Sequence, residues 1–168
     1  MKKIVLSLGG SVLIPSLESN NIGRFCGILR DIAASHRLYV VVGGGGEARR
    51  YIGAASRLGL DDASADEIGI LVTRINAYLL IGALGDAVYP LVPEDYREAK
   101  AFGESAKIVV MGGVAPAQTT DAVSAVLAEY IGADVLINAT SVDGIYSADP
   151  RKNAEAVRHA RLTPRALL

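Results

Sequence analysis

The chain reads as an α/β layered domain, a mostly parallel sheet covered by helices on both faces, and three observations predict this. Short β-branched runs alternate with stretches of helical spacing. The runs are apolar almost throughout, as strands buried on both faces are, whereas strands solvated on one face alternate. Glycine clusters stand at the ends of several runs, where an open parallel sheet turns into its helices.

In chain order, the predicted strands are 3–8 (KIVLSL), 38–42 (LYVVV), 87–92 (AVYPLV), 107–111 (KIVVM) and 134–139 (DVLINA). Pro90 cannot donate to a ladder, which assigns the 87–92 run to a sheet edge. Helical spacing predicts helices over 22–35, 47–58, 65–84, 94–103 and 121–132. In the first of these, Ile22, Phe25, Cys26, Leu29, Ile32 and Ala33 share one face, so the single cysteine is packing rather than a reactive thiol. Asp121 reads as the N-cap of the last helix. The segment 65–84 is apolar, but it carries Arg74 and Asn76 and is read as a buried helix rather than a membrane span. Its Ile68, Leu71, Val72, Ile75, Leu79, Leu80 and Ala83 exceed one face of a surface helix, which predicts contact with a second subunit.

With 168 residues, 51% hydrophobic and 21% charged, the chain suits one domain spanning 1–168. Seventeen Lys and Arg against eighteen Asp and Glu leave a net charge of −1. No global field then gathers nucleic acid or an anionic membrane, neither is expected as a partner, and any anion site must be local. One cysteine permits no internal disulfide and fits a reducing cytoplasm. The N-terminus is broken by Gly9-Gly10-Ser11 and reads as no signal peptide. His36 and His159 have no ligand-type neighbours at metal spacing, so no protein-held metal is expected.

The switch from strand to glycine occurs three times, in "IVLSLGGS", "VVVGGGGE" and "IVVMGGVA". Strand C-termini of a parallel sheet share one edge, so the three turns should line one crevice. Glycine lets backbone N–H groups press against a ligand, and N–H groups at helix N-termini attract phosphate. Arg49 beside the richest turn supports a phosphate site, while Arg50 points elsewhere on the helix and reads as a solvated face or subunit contact. The chain has no glycine-lysine pair for a P-loop, and Gly9-Gly10-Ser11-Val12 does not fit the dinucleotide fingerprint G-x-G-x-x-G. A fourth strand end, "INATSVDGIYSADP", offers hydroxyl, amide and carboxylate groups around Tyr146; it suits a purine and ribose, or simply a capped turn.

Taken together, "LSLGGSVL", "VVVGGGGEARRYI", "DEIGILVTRINAYLL", "MGGVAPAQTTDAVSAVLAEY" and "INATSVDGIYSADP" resemble the successive motifs of archaeal-type uridylate kinases in the amino acid kinase superfamily. The resemblance runs from residue 3 to the end, in order, and "GxxxTRxNA" followed by "TTDA" marks the uridylate branch. It implies a three-layer carbamate kinase-like sandwich, a cytoplasmic homohexamer, and phosphoryl transfer from ATP, with Mg²⁺, to UMP. By the same resemblance, Gly9, Gly10 and Ser11 would cradle the ATP phosphates. Gly44 and Gly45 would lie between the two nucleotides, on the UMP and ATP sides respectively, with Arg49 paired to phosphate. Asp66 would accept from the UMP ribose, where the residues alone read equally as an early-helix acid. Val114, Ala115, Pro116, Ala117, Gln118, Thr119 and Thr120 would enclose uracil and the UMP phosphate. Thr140, Ser141, Tyr146 and Asp149 would hold the ATP base and sugar.

Two departures accompany the resemblance. Many superfamily kinases carry a lysine two residues before the first glycine, where this chain has Ser7, so no catalytic residue is assigned. Archaeal-type members also continue beyond this length. Thr163-Pro164 is a helix start followed by only four residues, which predicts a longer parent kinase and a 168-residue form that binds UMP better than ATP and turns over poorly. A non-catalytic nucleotide- or oxyanion-binding protein on the same fold is the alternative at this point.

Overall fold

The computed structural model describes residues 1–163 and residue 165. The helix start read at Thr163-Pro164 runs into residues 164 and 166–168, outside the described residues. The elements are β1 (Lys3–Leu8), α1 (Gly10–Leu13), α2 (Ile22–Ala33), β2 (Arg37–Val42), α3 (Gly45–Arg57), α4 (Asp62–Leu84), α5 (Tyr96–Ser105), β3 (Ile108–Met111), α6 (Thr120–Ile131), β4 (Val135–Ala139), and a small hairpin of β5 (Ile145–Tyr146) and β6 (Arg158–His159).

Four parallel strands form the sheet in the order β3-β2-β1-β4, with Leu8 in register with Val42 on one side and Ala139 on the other. The continuous apolarity of β1 to β3 has its cause in the layers. Alternate residues Leu6, Leu8, Val40, Val42 and Val110 face α2 and α4, while Val5, Tyr39, Val41, Val109 and Met111 face α5 and α6. The result is the predicted three-layer sandwich, with each fully buried Leu, Ile or Val contributing about 1.5–3 kcal/mol of transfer free energy. Cys26 is a buried free thiol on the inner face of α2, with its pKa raised by that burial.

One predicted strand does not form. Residues 85–87 make a 3₁₀ turn and 88–92 run on as irregular chain, with Val88 and Val92 buried in the core. The Tyr89 N–H donates to the Ile108 carbonyl at 2.9 Å, and one residue later Pro90 has no N–H with which to continue the ladder. Arg74 of α4 holds this segment instead, donating to the carbonyls of Val92 and Pro93 at 3.4 and 3.3 Å and approaching Glu94 at 3.5 Å.

Caps set the helix starts. Asp61 accepts from Ser64 N–H at 2.8 Å, Asp95 from Glu98 N–H at 2.8 Å, and Thr119 from Ala122 N–H at 3.1 Å. The last of these corrects the reading of Asp121 as N-cap, because Thr119 holds that post and places Asp121 in the first turn of α6.

Helix α4 is long and apolar enough to cross a bilayer by composition, yet it packs along α3, α2 and the strands. Val72 and Leu80 are buried there, whereas Leu71, Ile75, Tyr78 and Leu79 stay exposed as a continuous outer stripe.

Candidate active site

The three glycine turns meet as the topology requires, since β1, β2 and β3 are neighbours and release their chains at one edge. They line a cleft of about 520 Å³, together with residues of α3, α4, α6 and the end of β4. The first two turns are pressed backbone to backbone. A Cβ on Gly10 would overlap the Gly45 nitrogen and the Gly43 carbonyl, and Gly45 itself has φ +66°, so neither position accepts a side chain without displacement of main chain. Gly45 opens α3, so its first-turn N–H groups and the positive end of the helix dipole lie at the cleft.

Of the residues predicted for the site, Gly9, Gly10, Ser11, Gly44, Gly45, Arg49, Asp66, Ala117, Gln118, Thr119, Thr120 and Thr140 line this one cleft. Arg50 lies beside Arg49 but pairs with Glu47 at 3.0 Å on the outer face of α3, the solvated role expected of it. Val114 packs into the core formed by β3, α5 and α6, and neither it nor Ala115 nor Pro116 lines the cleft wall.

Asp66 stands in the second turn of α4, too far along for the early-helix role, which Asp61 and Asp62 fill. Its Oδ2 accepts the Ala117 N–H at 2.9 Å and so fixes the 113–120 loop at its tightest point, where Ala117 has φ +61°. An alanine in that region costs about 1–3 kcal/mol, and the loop's own anchoring sustains it.

On the β4 side the picture differs. Thr140 reaches the cleft, but Ser141, Tyr146 and Asp149 do not line it. They serve the exposed hairpin: Ser141 accepts from Arg151, the Asp149 carboxylate takes the Arg151 N–H at 3.0 Å, and the Tyr146 hydroxyl donates to Asp143. That bond, with Arg158 at 3.1 Å, holds the Asp143 pKa below the usual carboxylate range. In this structure the capped-turn reading of the segment accounts for these residues.

Two residues named in the sequence for other reasons meet at the cleft. Asp121, freed from capping, lines the cleft, and its Oδ1 accepts the Ser7 hydroxyl at 2.7 Å. Ser7 therefore occupies the expected lysine position as a buried neutral donor to an aspartate. The signal was present in "LSLGG" and "TTDA", but nothing in either segment says that the two meet across 114 residues.

Such a cleft, with backbone N–H groups from glycine turns on a parallel sheet, one arginine and two aspartates, is that of a phosphate-handling α/β protein. A profile of the amino acid kinase family matches residues 2–168. The chain is 70% identical over 168 residues to the uridylate kinase of Methanoculleus marisnigri and 62% identical to that of Methanoregula boonei, covering all of itself and 72% of each relative. The crystal structure of uridylate kinase from Archaeoglobus fulgidus superimposes with a TM-score of 0.92 at 48% identity, over 99% of this chain and 76% of that one. The chain belongs to the amino acid kinase family, in its archaeal uridylate kinase branch.

Proposed function

We propose that this protein transfers the γ-phosphoryl group of ATP to UMP, giving UDP and ADP, as a step of pyrimidine nucleotide synthesis. The observation that carries this is the meeting of three glycine turns in one cleft with Arg49 and Asp66 on its wall. A phosphate oxygen of UMP forms a bond to the γ-phosphorus as the bond to the β-bridging oxygen breaks and ADP leaves. The protein's share is alignment and charge neutralisation, because phosphoryl transfer asks for little covalent help. N–H groups of Gly10, Ser11, Gly44 and Gly45 face the two phosphate chains, while the Gly9 N–H is spent on the Ala139 carbonyl at 3.0 Å and ties the first turn to β4; Arg49 supplies a fork suited to phosphate oxygens. Asp66 and the cleft-lining end of the loop, Ala117 to Thr120, hold the nucleoside of UMP, and Thr140 borders the ATP side.

Mg²⁺, when bound with ATP, would supply further neutralisation of phosphate charge. Asp121 fits that ion, since it presents a hard carboxylate ligand on the cleft wall with only one oxygen committed to Ser7. A coupled ADP-release assay on the protein as its cell makes it, with Mg·ATP and in turn UMP, CMP, dUMP and small acids, tests the reading. Turnover is expected with UMP; turnover with an acid and none with UMP would overturn it.

The protein works as a homo-oligomer in the cytoplasm, a hexamer built from paired subunits. Support comes from Leu71, Ile75, Tyr78 and Leu79, which are 44–59% exposed along one face of α4. Sedimentation should give an oligomer that Ile75→Glu reduces, whereas a clean monomer for the parent would contradict the assembly.

A further inference from the structure

Helix α4 contributes two buried polar side chains that reach beyond α4 to the glycine turns. Asn76 and Thr73 are 4% and 7% exposed and lie three residues apart, hence on one face. The Asn76 amide Nδ2 donates to the Gly43 carbonyl at 3.0 Å and to the Gly44 carbonyl at 3.4 Å. The Thr73 hydroxyl donates to the Ile70 carbonyl at 2.6 Å, which spends its proton and leaves Oγ1 to accept the Gly113 N–H at 2.7 Å. One helix face thus grips the turn after β2 by its carbonyls and the turn after β3 by its N–H.

We infer that Asn76 and Thr73 are positioning residues for phosphoryl transfer, a clasp that fixes the orientation and spacing of these two phosphate-facing turns. The reason is planarity. In a trans peptide the C=O and the following N–H point in opposite directions, so pinning the Gly43 and Gly44 carbonyls onto Asn76 turns the N–H groups of Gly44 and Gly45 away from it. Glycine does not hold such an orientation by itself, because its backbone is the least restricted of any residue. The Gly113 bond fixes where the 114–120 loop starts, and Asp66, two turns earlier on the same helix, fixes Ala117. Both sides of the transfer are then referenced to one rigid element, which is what in-line alignment needs.

This inference rests on the proposed UMP chemistry, and its test separates the two. Calorimetric titration with UMP and with uridine isolates the contribution of the phosphate, in the parent and in the near-isosteric variants Asn76→Asp, Thr73→Val and Thr73→Ser. The clasp predicts that Asn76→Asp and Thr73→Val weaken UMP at least tenfold, leave uridine within about twofold, and lower kcat. Thr73→Ser, which keeps the hydroxyl, should behave as the parent. Folded variants with the parent's UMP affinity, or with UMP and uridine weakened alike, would overturn the clasp. Failure of both Asn76→Asp and Thr73→Val to fold would also overturn it, since the bonds would then hold the domain rather than the turns. A parent that binds UMP no better than uridine would sink the proposed acceptor instead. The Gly44 and Gly113 amide resonances then decide the clasp, which predicts that both move in the variants; unmoved resonances would refute it.

Discussion

Strands β3 and β4 are the two outer strands of the same parallel sheet, and they differ almost completely in cover. All four residues of β3 are buried, with α4 against one face, α5 and α6 against the other, and the 88–92 segment along its edge. In β4, Val135, Leu136 and Ile137 are 39–45% exposed. Each strand leads into one half of the cleft. The half that follows β3, proposed to hold UMP, is tied at Gly113 to Thr73 and at Ala117 to Asp66, and is capped at Thr119. The half that follows β4, proposed to hold ATP, leaves the cleft after Thr140 for a hairpin whose side chains bond mainly to one another. Two largely apolar strands thus lead to a tied site where helices cover both faces and to an exposed one where they do not; the chain spans 72% of the length of its Methanoculleus and Methanoregula relatives.

The largest test of that contrast is a charge placed on each strand. Val110→Lys buries an ammonium with no partner and should cost more than about 4 kcal/mol, enough to unfold the domain. Leu136→Lys in the 168-residue chain should cost under about 1 kcal/mol by urea denaturation, and similar losses at both positions would break the contrast. A smaller effect compares two glycines from the adjoining first and second turns. Gly10→Ala should lower stability by about 3 kcal/mol and abolish measurable nucleotide binding, because its Cβ meets main chain of the second turn. Gly46→Ala, with open space around it, should be neutral within about 1 kcal/mol. Arg49→Ala sharpens the cleft itself, with an expected loss of about 1.5–3 kcal/mol in UMP affinity and little change in stability. Unchanged affinity and rate would remove Arg49 from the site.

How far the sequence foretold this follows from the range of the forces involved. Strands β1 to β4 and helices α2 to α6 are legible because hydrophobic period, glycine turns and caps are local signals, good to within three residues. The 87–92 run misled because Val88 and Val92 are as buried as strand residues, while the decisive fact was one missing N–H at Pro90. The convergence of the glycine turns could be read from parallel topology, but Ser7 on Asp121 and Asn76 on Gly43 join elements far apart in sequence and carried no local trace. Ser141, Tyr146 and Asp149 are assigned to ATP by resemblance alone, since their own chemistry fits a capped turn equally; their neighbours here satisfy them within the hairpin.

On the proposed reading, UMP binds to the half of the cleft that is tied behind β3, and ATP meets few fixed partners in the half behind β4. Calorimetric titration of the 168-residue protein with UMP and, separately, with Mg·ATP decides between the two halves. One saturable UMP site and an ATP affinity at least tenfold weaker are expected; ATP binding as tightly as UMP, or no UMP binding by a folded chain, would refute the contrast.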